Sequence, residues 1–171
     1  MAFPWTKVLC PIDFSDPARA AMRAAVDVCR LTSGELTLFH AYELPGYTLP
    51  EGSVVASPKM LQDLSDQADV HLAEWKHLAE EMGATKVNVE KGIGEPALSI
   101  VELARERGFD LVVVGTHGRT GIRHALLGSV AERVVRRAGC PVLTIHPEGH
   151  GRRRELILRA LSPPRQTKSG T

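Results

Sequence analysis

The chain has 171 residues and a mass of 18.6 kDa, a length typical of a single domain. Its composition, with 43% apolar and 24% charged residues, is that of an ordinary soluble globular protein. The three cysteines are odd in number and form no C-x-x-C pair, which argues against a disulfide framework or a zinc knuckle and favours a reducing compartment. No apolar run approaches the roughly 20 residues of a membrane span, and residues 1–6 lack the features of a signal peptide. We therefore expect a cytoplasmic protein without integral membrane association.

The net charge of +1 is unevenly distributed. Residues 149–171 contain six basic residues and one acidic residue, so the first 148 residues carry a net negative charge. A nucleic-acid-binding domain is expected to carry its positive charge as a patch on the fold. This distribution argues against nucleic acid as a partner.

Apolar runs rich in β-branched residues alternate along the chain with longer segments of helical periodicity, a pattern typical of βαβ units around a parallel sheet. Five strands are predicted, at residues 7–12, 36–41, 86–91, 110–114 and 141–145. Four helices are predicted, at residues 17–31, 58–82, 95–107 and 129–138.

Single residues mark several of these elements. Ser15 is a predicted N-cap of the first helix, and Gly34 follows that helix as its predicted stop. Trp75 keeps helical spacing with neighbouring leucines, which predicts a core position. Residues 43–57 have no clear period and contain two prolines and two glycines, so we expect a long loop that could act as a lid or a variable insertion.

These elements predict an α/β fold with a doubly wound parallel sheet and helices on both faces. Such sheets bind ligands beyond the carboxyl ends of their strands, where the strand order reverses. The prediction therefore directs attention to the loops that follow the first and fourth strands.

The loop after the fourth strand has an unusual glycine pattern. Gly115 and Gly118 are followed, after nine residues, by Gly128 and Ser129 at the start of a predicted helix. Glycines let backbone N–H groups turn toward one anion, and a helix N-terminus adds further N–H donors. Loops after buried strands also contain glycine simply to turn, and Ser129 could be an ordinary helix cap. The three glycines and the serine in this order favour a polyphosphate site.

The pattern G-x2-G-x9-G-S resembles the ATP-binding signature of the universal stress protein family. Residues 11–15 (PIDFS), 92–97 (GIGEPA) and 140–145 (CPVLTI) also match that family. The resemblance covers residues 4 to 147. It implies an adenine nucleotide alpha-hydrolase-like sheet of strand order 3-2-1-4-5, with residues 1–148 as the nucleotide-binding domain and 149–171 as a tail. It also implies a homodimer that pairs through the last strand.

The resemblance further implies roles for ten residues around ATP, which magnesium could accompany. Pro11 and Asp13 would contact the adenosine, and Ala41 would line the adenine. Position 41 is often valine in the ATP-binding branch, so alanine loosens this wall. The ribose and phosphate contacts would come from Val114, Gly115, His117, Gly118, Gly128, Ser129 and Val130.

Two of these residues have alternative interpretations. A carboxylate such as Asp13, directly after a buried strand, often only caps the next helix. His117 could act as a base in its neutral form, although a histidine in such a loop more often packs or turns its backbone toward phosphate.

The sequence has no Walker lysine, water-positioning glutamine or pair of catalytic carboxylates. We therefore expect a nucleotide-dependent stress-response or signalling module with little or no turnover. One alternative is a slow ATPase or phosphotransferase in which Asp13 and Ser129 help to hold magnesium. Another is an assembly module that binds no nucleotide. In the tail, residues 152–161 could form about two helical turns, but a solvated, flexible terminus is the favoured expectation.

Overall fold

The computed structural model describes residues 5–43, 47–49, 52–54, 57–116, 127–146 and 157–159. The strands are β1 (Lys7–Pro11), β2 (Glu35–Tyr42), β3 (Tyr47–Leu49), β4 (Gly52–Val54), β5 (Val87–Ile93), β6 (Leu111–Gly115), β7 (Val142–Ile145) and β8 (Ile157–Arg159). The helices are α1 (Asp16–Thr32), α2 (Pro58–Glu81), α3 (Pro96–Glu106) and α4 (Ser129–Arg137).

The main sheet has the order β5-β2-β1-β6-β7-β8. The first five strands in this order are parallel, which confirms the predicted doubly wound sheet of order 3-2-1-4-5. β1 lies between β2 and β6, so the strand order reverses beside it. The crevice expected at such a reversal opens beyond the carboxyl ends of these central strands.

Two predicted segments differ from their expected structure. Residues 157–159 form β8, which pairs antiparallel with β7, so at these residues the tail is a strand, and neither the flexible terminus nor the helical turns expected from the sequence is correct there. An edge strand presents unpaired N–H and C=O groups, and antiparallel pairing satisfies them. Within the segment predicted as a loop, β3 and β4 form a short antiparallel pair.

The sheet separates two apolar clusters because successive strand residues point to opposite faces. Val8 and Cys10 of β1 pack with α1 and α2 on one face. Leu9 packs with α3 and α4 on the other. Trp75 of α2 is 5% exposed and lies in the first cluster, which confirms the predicted core position. Burial of a large apolar side chain is worth about 1.5–3 kcal/mol.

The ends of α1 show how local sequence fixes its boundaries. The Ser15 hydroxyl accepts a hydrogen bond from the Ala18 N–H at 3.4 Å, which confirms the predicted N-cap. At the other end, Ser33 adopts the left-handed conformation with a φ of 55°, one residue before the predicted stop at Gly34. No helix among the described residues is long and apolar enough to cross a membrane.

Candidate functional site

The carboxyl edge of the central strands brings several of the predicted site residues together. Pro11 ends β1, Ala41 lies near the end of β2, and Val114 and Gly115 end β6. Val114 belongs to the apolar cluster on the α3 and α4 face, and Ala41 and Val130 pack against it. The strands on either side of β1 and the helix α4 thus place three apolar residues of the predicted site on a common face of the sheet.

Gly115 is required for a close approach of β6 to α1. A Cβ atom at this position would lie 2.9 Å from the Pro17 carbonyl oxygen, a distance that would force the backbone apart. Gly115 is not among the glycines with positive φ, and Gly128 has a φ of −70°. Neither of these two glycines therefore uses the positive φ that glycine allows.

The N-terminus of α4 differs from those of the other helices. Side chains accept from the first-turn N–H groups of α1, α2 and α3, where the caps are Ser15, Ser57 and Glu95. The N-cap of α4 is Gly128, and no side chain among the described residues caps this helix. Ser129 is the first helical residue, so its interpretation as an ordinary helix cap is wrong.

The backbone N–H of Gly128 already has a hydrogen-bond acceptor. This N–H donates to the Thr116 carbonyl oxygen at 2.5 Å, which links the start of α4 to the residue after β6. Within the predicted phosphate set, Ser129 and Val130 then supply N–H groups of the first turn, which have no acceptor within their own helix. His117 and Gly118 lie outside the described residues.

The carboxylate of Asp13 has a structural role in the loop after β1. Its Oδ1 accepts from the Ser15 backbone N–H at 3.1 Å and from the Ser15 hydroxyl at 2.5 Å. Because Ser15 caps α1, Asp13 supports that cap through Ser15 and does not cap the helix itself. The same loop places this carboxylate at the carboxyl edge, beside Pro11.

The next residue, Phe14, has a left-handed backbone with a φ of 65°. This conformation is uncommon for a bulky residue and costs about 1–3 kcal/mol. Its ring is held 4.4 Å from His40, 5.1 Å from His71 and 5.7 Å from Trp75, measured between ring centroids. Sequence reasoning missed this residue, since nothing in a local pattern signals a strained phenylalanine.

Two further polar contacts at this edge were not predicted. The buried Thr116 hydroxyl lies 2.9 Å from Nδ1 of His146, and the Thr116 N–H donates to the Ile145 carbonyl oxygen. These bonds connect the end of β6 to the residue after β7. The position of Thr116 between two motif glycines was the available signal.

Glu95, the N-cap of α3, was also missed by sequence reasoning. Its carboxylate accepts from the N–H groups of Ala97 and Leu98 and from the Arg133 guanidinium. Partial burial opposes ionisation, but these donors outweigh it and hold the pKa of Glu95 below its usual range. The signal in the sequence was its place directly before Pro96, where N-caps occur.

The cysteines have the character of apolar residues. Burial, with the nearby Cys29 thiol, raises the pKa of Cys10. Burial raises the pKa of Cys29 to about 12, and Asp110 and Glu35 add to the shift. Because the thiolate is the nucleophile, these thiols are poorly suited to covalent chemistry.

Among the described residues, no group of three His, Cys, Asp or Glu side chains could hold a metal ion.

Comparison with known proteins assigns the family. The model of the universal stress protein family matches residues 4–146. The chain belongs to the universal stress protein family. This result confirms the resemblance inferred from residues 4 to 147 and its four matching segments.

The family relationship extends to characterised sequences and folds. The chain is 37% identical over 143 residues to universal stress protein MJ0531 of Methanocaldococcus jannaschii, covering 82% of each chain. It also resembles the solved structure of MJ0577 from the same organism, with a TM-score of 0.73 and 28% identity over 85% of this chain and 99% of that one. A universal stress protein solved in complex with cAMP has a TM-score of 0.63 and 29% identity, covering 83% and 97% of the two chains.

Proposed function

We propose that this universal stress protein binds ATP at the carboxyl edge of its sheet and acts as a nucleotide-dependent stress-response or signalling module. The observation that carries the proposal is the α4 N-terminus, which has no side-chain cap among the described residues and whose N-cap and first residue, Gly128 and Ser129, end the G-x2-G-x9-G-S pattern. First-turn N–H groups and the helix dipole favour an anion there. The related protein solved with cAMP supports an adenine nucleotide as the ligand.

In the proposed complex, the apolar wall formed by Ala41 and Val114 faces the adenosine, together with Pro11. Asp13 is placed to accept from ribose hydroxyls. The phosphates lie at the start of α4, where Ser129 and Val130 donate backbone N–H groups and the Ser129 hydroxyl adds a donor. His117, Gly118 and the remaining glycines complete the set that the family signature implies.

Magnesium fits this site as the companion ion of ATP. Mg²⁺ prefers carboxylate and phosphate oxygens and keeps several waters. Asp13 supplies a carboxylate at the same edge. When bound, the ion would neutralise part of the phosphate charge, while the α4 N-terminus orients the phosphates.

The first test is the nucleotide content of the purified protein, followed by ATP titration of the emptied protein and of Gly128→Val. The backbone at Gly128, with a φ of −70° and a ψ of 158°, suits any residue, so the variant should fold. A branched side chain would shield the first-turn N–H groups. We expect adenine nucleotide in the wild type and a large loss of ATP affinity in the variant.

Gly139→Val is the matched control because a Cβ atom at Gly139 meets nothing within 4 Å. This control should bind ATP like the wild type. Absence of ATP binding by the wild type at millimolar concentration would overturn the proposal and favour an assembly module. If Gly128→Val bound ATP as tightly as the wild type, the α4 N-terminus would not be part of the binding site.

We expect little or no turnover. Fast phosphoryl transfer needs positioned cationic and water-orienting groups, and the sequence has neither the Walker lysine nor the water-positioning glutamine that usually supply them. Product analysis with ATP and magnesium tests this expectation. A rate of about 1–100 per second, the usual range for kinases, would favour the alternative ATPase or phosphotransferase with His117 as its base.

Homodimerisation through β7 is a further part of the proposal. The outer edge of β7 pairs with β8 in this chain, so a second copy could pair there only if residues 157–159 leave that edge. Light scattering of the full chain and of a chain ending at residue 148 tests this. A dimer that forms more readily in the shortened chain would support pairing through β7, and monomers in both would overturn it.

We also propose a cytoplasmic location. The three cysteines are free thiols, as suits a reducing compartment. Cell fractionation with an antibody to the chain tests this, and recovery outside the cytoplasm would contradict it.

A further inference from the structure

The carboxylate of Glu95 joins the N-terminus of α3 to α4. One oxygen, Oε2, accepts from the Leu98 N–H at 2.9 Å. The other, Oε1, accepts from the Ala97 N–H at 3.2 Å and from Nη1 of Arg133 at 3.0 Å. A single side chain therefore caps α3 and bonds to α4.

Arg133 lies one helical turn beyond Ser129, at a spacing of four residues. Side chains at this spacing lie on the same face of a helix. The bond to Glu95 thus fixes the first turns of α4, beside the N–H groups proposed to bind phosphate. The two helices also pack through a shared apolar cluster that includes Ala97, Ile100, Ala131 and Val134.

Besides the apolar packing against α3 and the Gly128 N–H bond to the Thr116 carbonyl oxygen, few described polar contacts fix the start of α4. No side chain among the described residues caps it, and its other described ion pair, between Glu132 and Arg136 at 2.9 Å, lies within the helix. That pair can stabilise α4 but cannot set its position against α3. Among the described ion pairs, the Glu95–Arg133 contact is the one that links these helices.

We infer that Glu95 is a positioning residue for nucleotide binding, which acts through Arg133 to hold the α4 N-terminus where it meets the phosphates. This inference rests on the proposed function. It assigns Glu95 no contact with the nucleotide. Its effect is confined to ligands that carry phosphate.

The direction of the change in ATP affinity distinguishes a positioning role of Glu95 from a direct electrostatic effect of its charge. Glu95 is negatively charged, so removing its charge should strengthen ATP binding if only long-range Coulomb repulsion mattered. If Glu95 positions α4, removing the charge should weaken ATP binding. Removing the charge of Arg133 weakens ATP binding under both explanations, so Glu95→Gln is the decisive variant.

The experiment measures ATP and adenosine affinities by calorimetry for the wild type, Glu95→Gln, Arg133→Gln and the double variant. Each single variant should lose about three- to tenfold in ATP affinity, the range for residues that modulate a site without contacting the ligand. Adenosine affinity should stay within about twofold, since adenosine has no phosphate. The double variant should bind ATP no worse than the weaker single variant, because both substitutions remove one contact. Arg133→Lys should recover part of the loss.

Glu132→Gln is the matched control. Like Glu95→Gln it removes one negative charge near the start of α4, but it leaves the bond between Glu95 and Arg133 in place. It should not weaken ATP binding. Thermal melts of every variant check folding, and Arg133→Gln leaves the α3 cap intact if Glu95→Gln is unstable. ATP affinity that is unchanged or increased in Glu95→Gln, or an equal loss for ATP and adenosine, would overturn the inference. Failure of the wild type to bind ATP would instead overturn the proposed function, and this inference with it.

Discussion

The N-termini of α3 and α4 lie on the same face of the sheet and are built in opposite ways. α3 starts at a carboxylate that accepts two of its own N–H groups, so its positive end is neutralised within the chain. α4 starts at a glycine without a side-chain cap among the described residues, so its positive end is left for another anion. A capped start favours stability, whereas an open start leaves a binding position.

The largest effect should come from giving α4 the kind of cap that α3 has. In Gly128→Asp, the new carboxylate would accept from the first-turn N–H groups and occupy the proposed phosphate position. We expect ATP affinity to fall about a hundredfold, which corresponds to about 2.7 kcal/mol, while the protein becomes more stable by a few tenths of a kcal/mol. Calorimetry and denaturant unfolding measure the two quantities.

Gly128→Asn separates capping from charge. Asparagine caps as well as aspartate but adds no negative charge, so its loss of ATP affinity should be smaller. Unchanged ATP affinity in both variants would show that the open start of α4 is not a binding position.

The second prediction separates the two described glycines of the signature. Gly115→Ala places a methyl group 2.9 Å from the Pro17 carbonyl oxygen, so it should destabilise the protein by about 1–3 kcal/mol through overpacking. Gly128→Ala should change stability by less than about 1 kcal/mol, because its backbone is extended. Urea unfolding of the two variants measures the difference, and equal stabilities would contradict the assigned role of Gly115.

The third prediction removes the cap of α3. Glu95→Ala leaves the N–H groups of Ala97 and Leu98 without their acceptor, which should lower stability by about 1 kcal/mol and the melting temperature by about 2–4 °C. Arg133→Ala keeps the cap and loses only an exposed ion pair, worth about 0.2–1 kcal/mol. Differential scanning calorimetry should therefore rank the wild type above Arg133→Ala and Arg133→Ala above Glu95→Ala, and a reversed order would contradict the capping role.

The smallest effect is a pH dependence at the α3 cap. The pKa of Glu95 is lowered in the folded state, so ionised Glu95 stabilises the fold fully above its unfolded pKa of about 4.3. This contribution is lost as the pH falls through the lower, folded pKa. The stability difference between the wild type and Glu95→Gln should therefore be constant from pH 7 to 5 and shrink below about pH 4.3. Denaturant unfolding across this range measures it, and a difference that grows on acidification would contradict the shift.

The sequence predicts the sheet and its helices well because both depend on local periodicity. The apolar run at 110–114 and the helical spacing around Trp75 are readable from a few residues. Ser15 was also found in this way, since an N-cap and its acceptor N–H lie three residues apart. The carboxyl edge was singled out as a candidate binding edge from topology alone.

The missed features depend on contacts between distant segments. Glu95 and Arg133 are 38 residues apart, so no local pattern indicates their bond. β8 was missed because a basic, Pro-flanked tail has little strand character until an open edge strand is available for pairing. The alternative interpretation of Ser129 as a cap rested on the preference of serine for that position, whereas Gly128 is the N-cap and Ser129 is the first residue of α4, as the predicted helix at 129–138 had it.

The strained Phe14 has a practical consequence. Its ring packs against the buried Trp75 indole in a T-shaped contact. Its backbone adjoins Asp13 at the carboxyl edge of the sheet. A displacement of that loop would alter the surroundings of the indole, and tryptophan emission is sensitive to its surroundings. With Trp5, the other of the two tryptophans, replaced by phenylalanine, the protein would carry a single tryptophan, and events at the carboxyl edge could be followed through its emission in real time without a label.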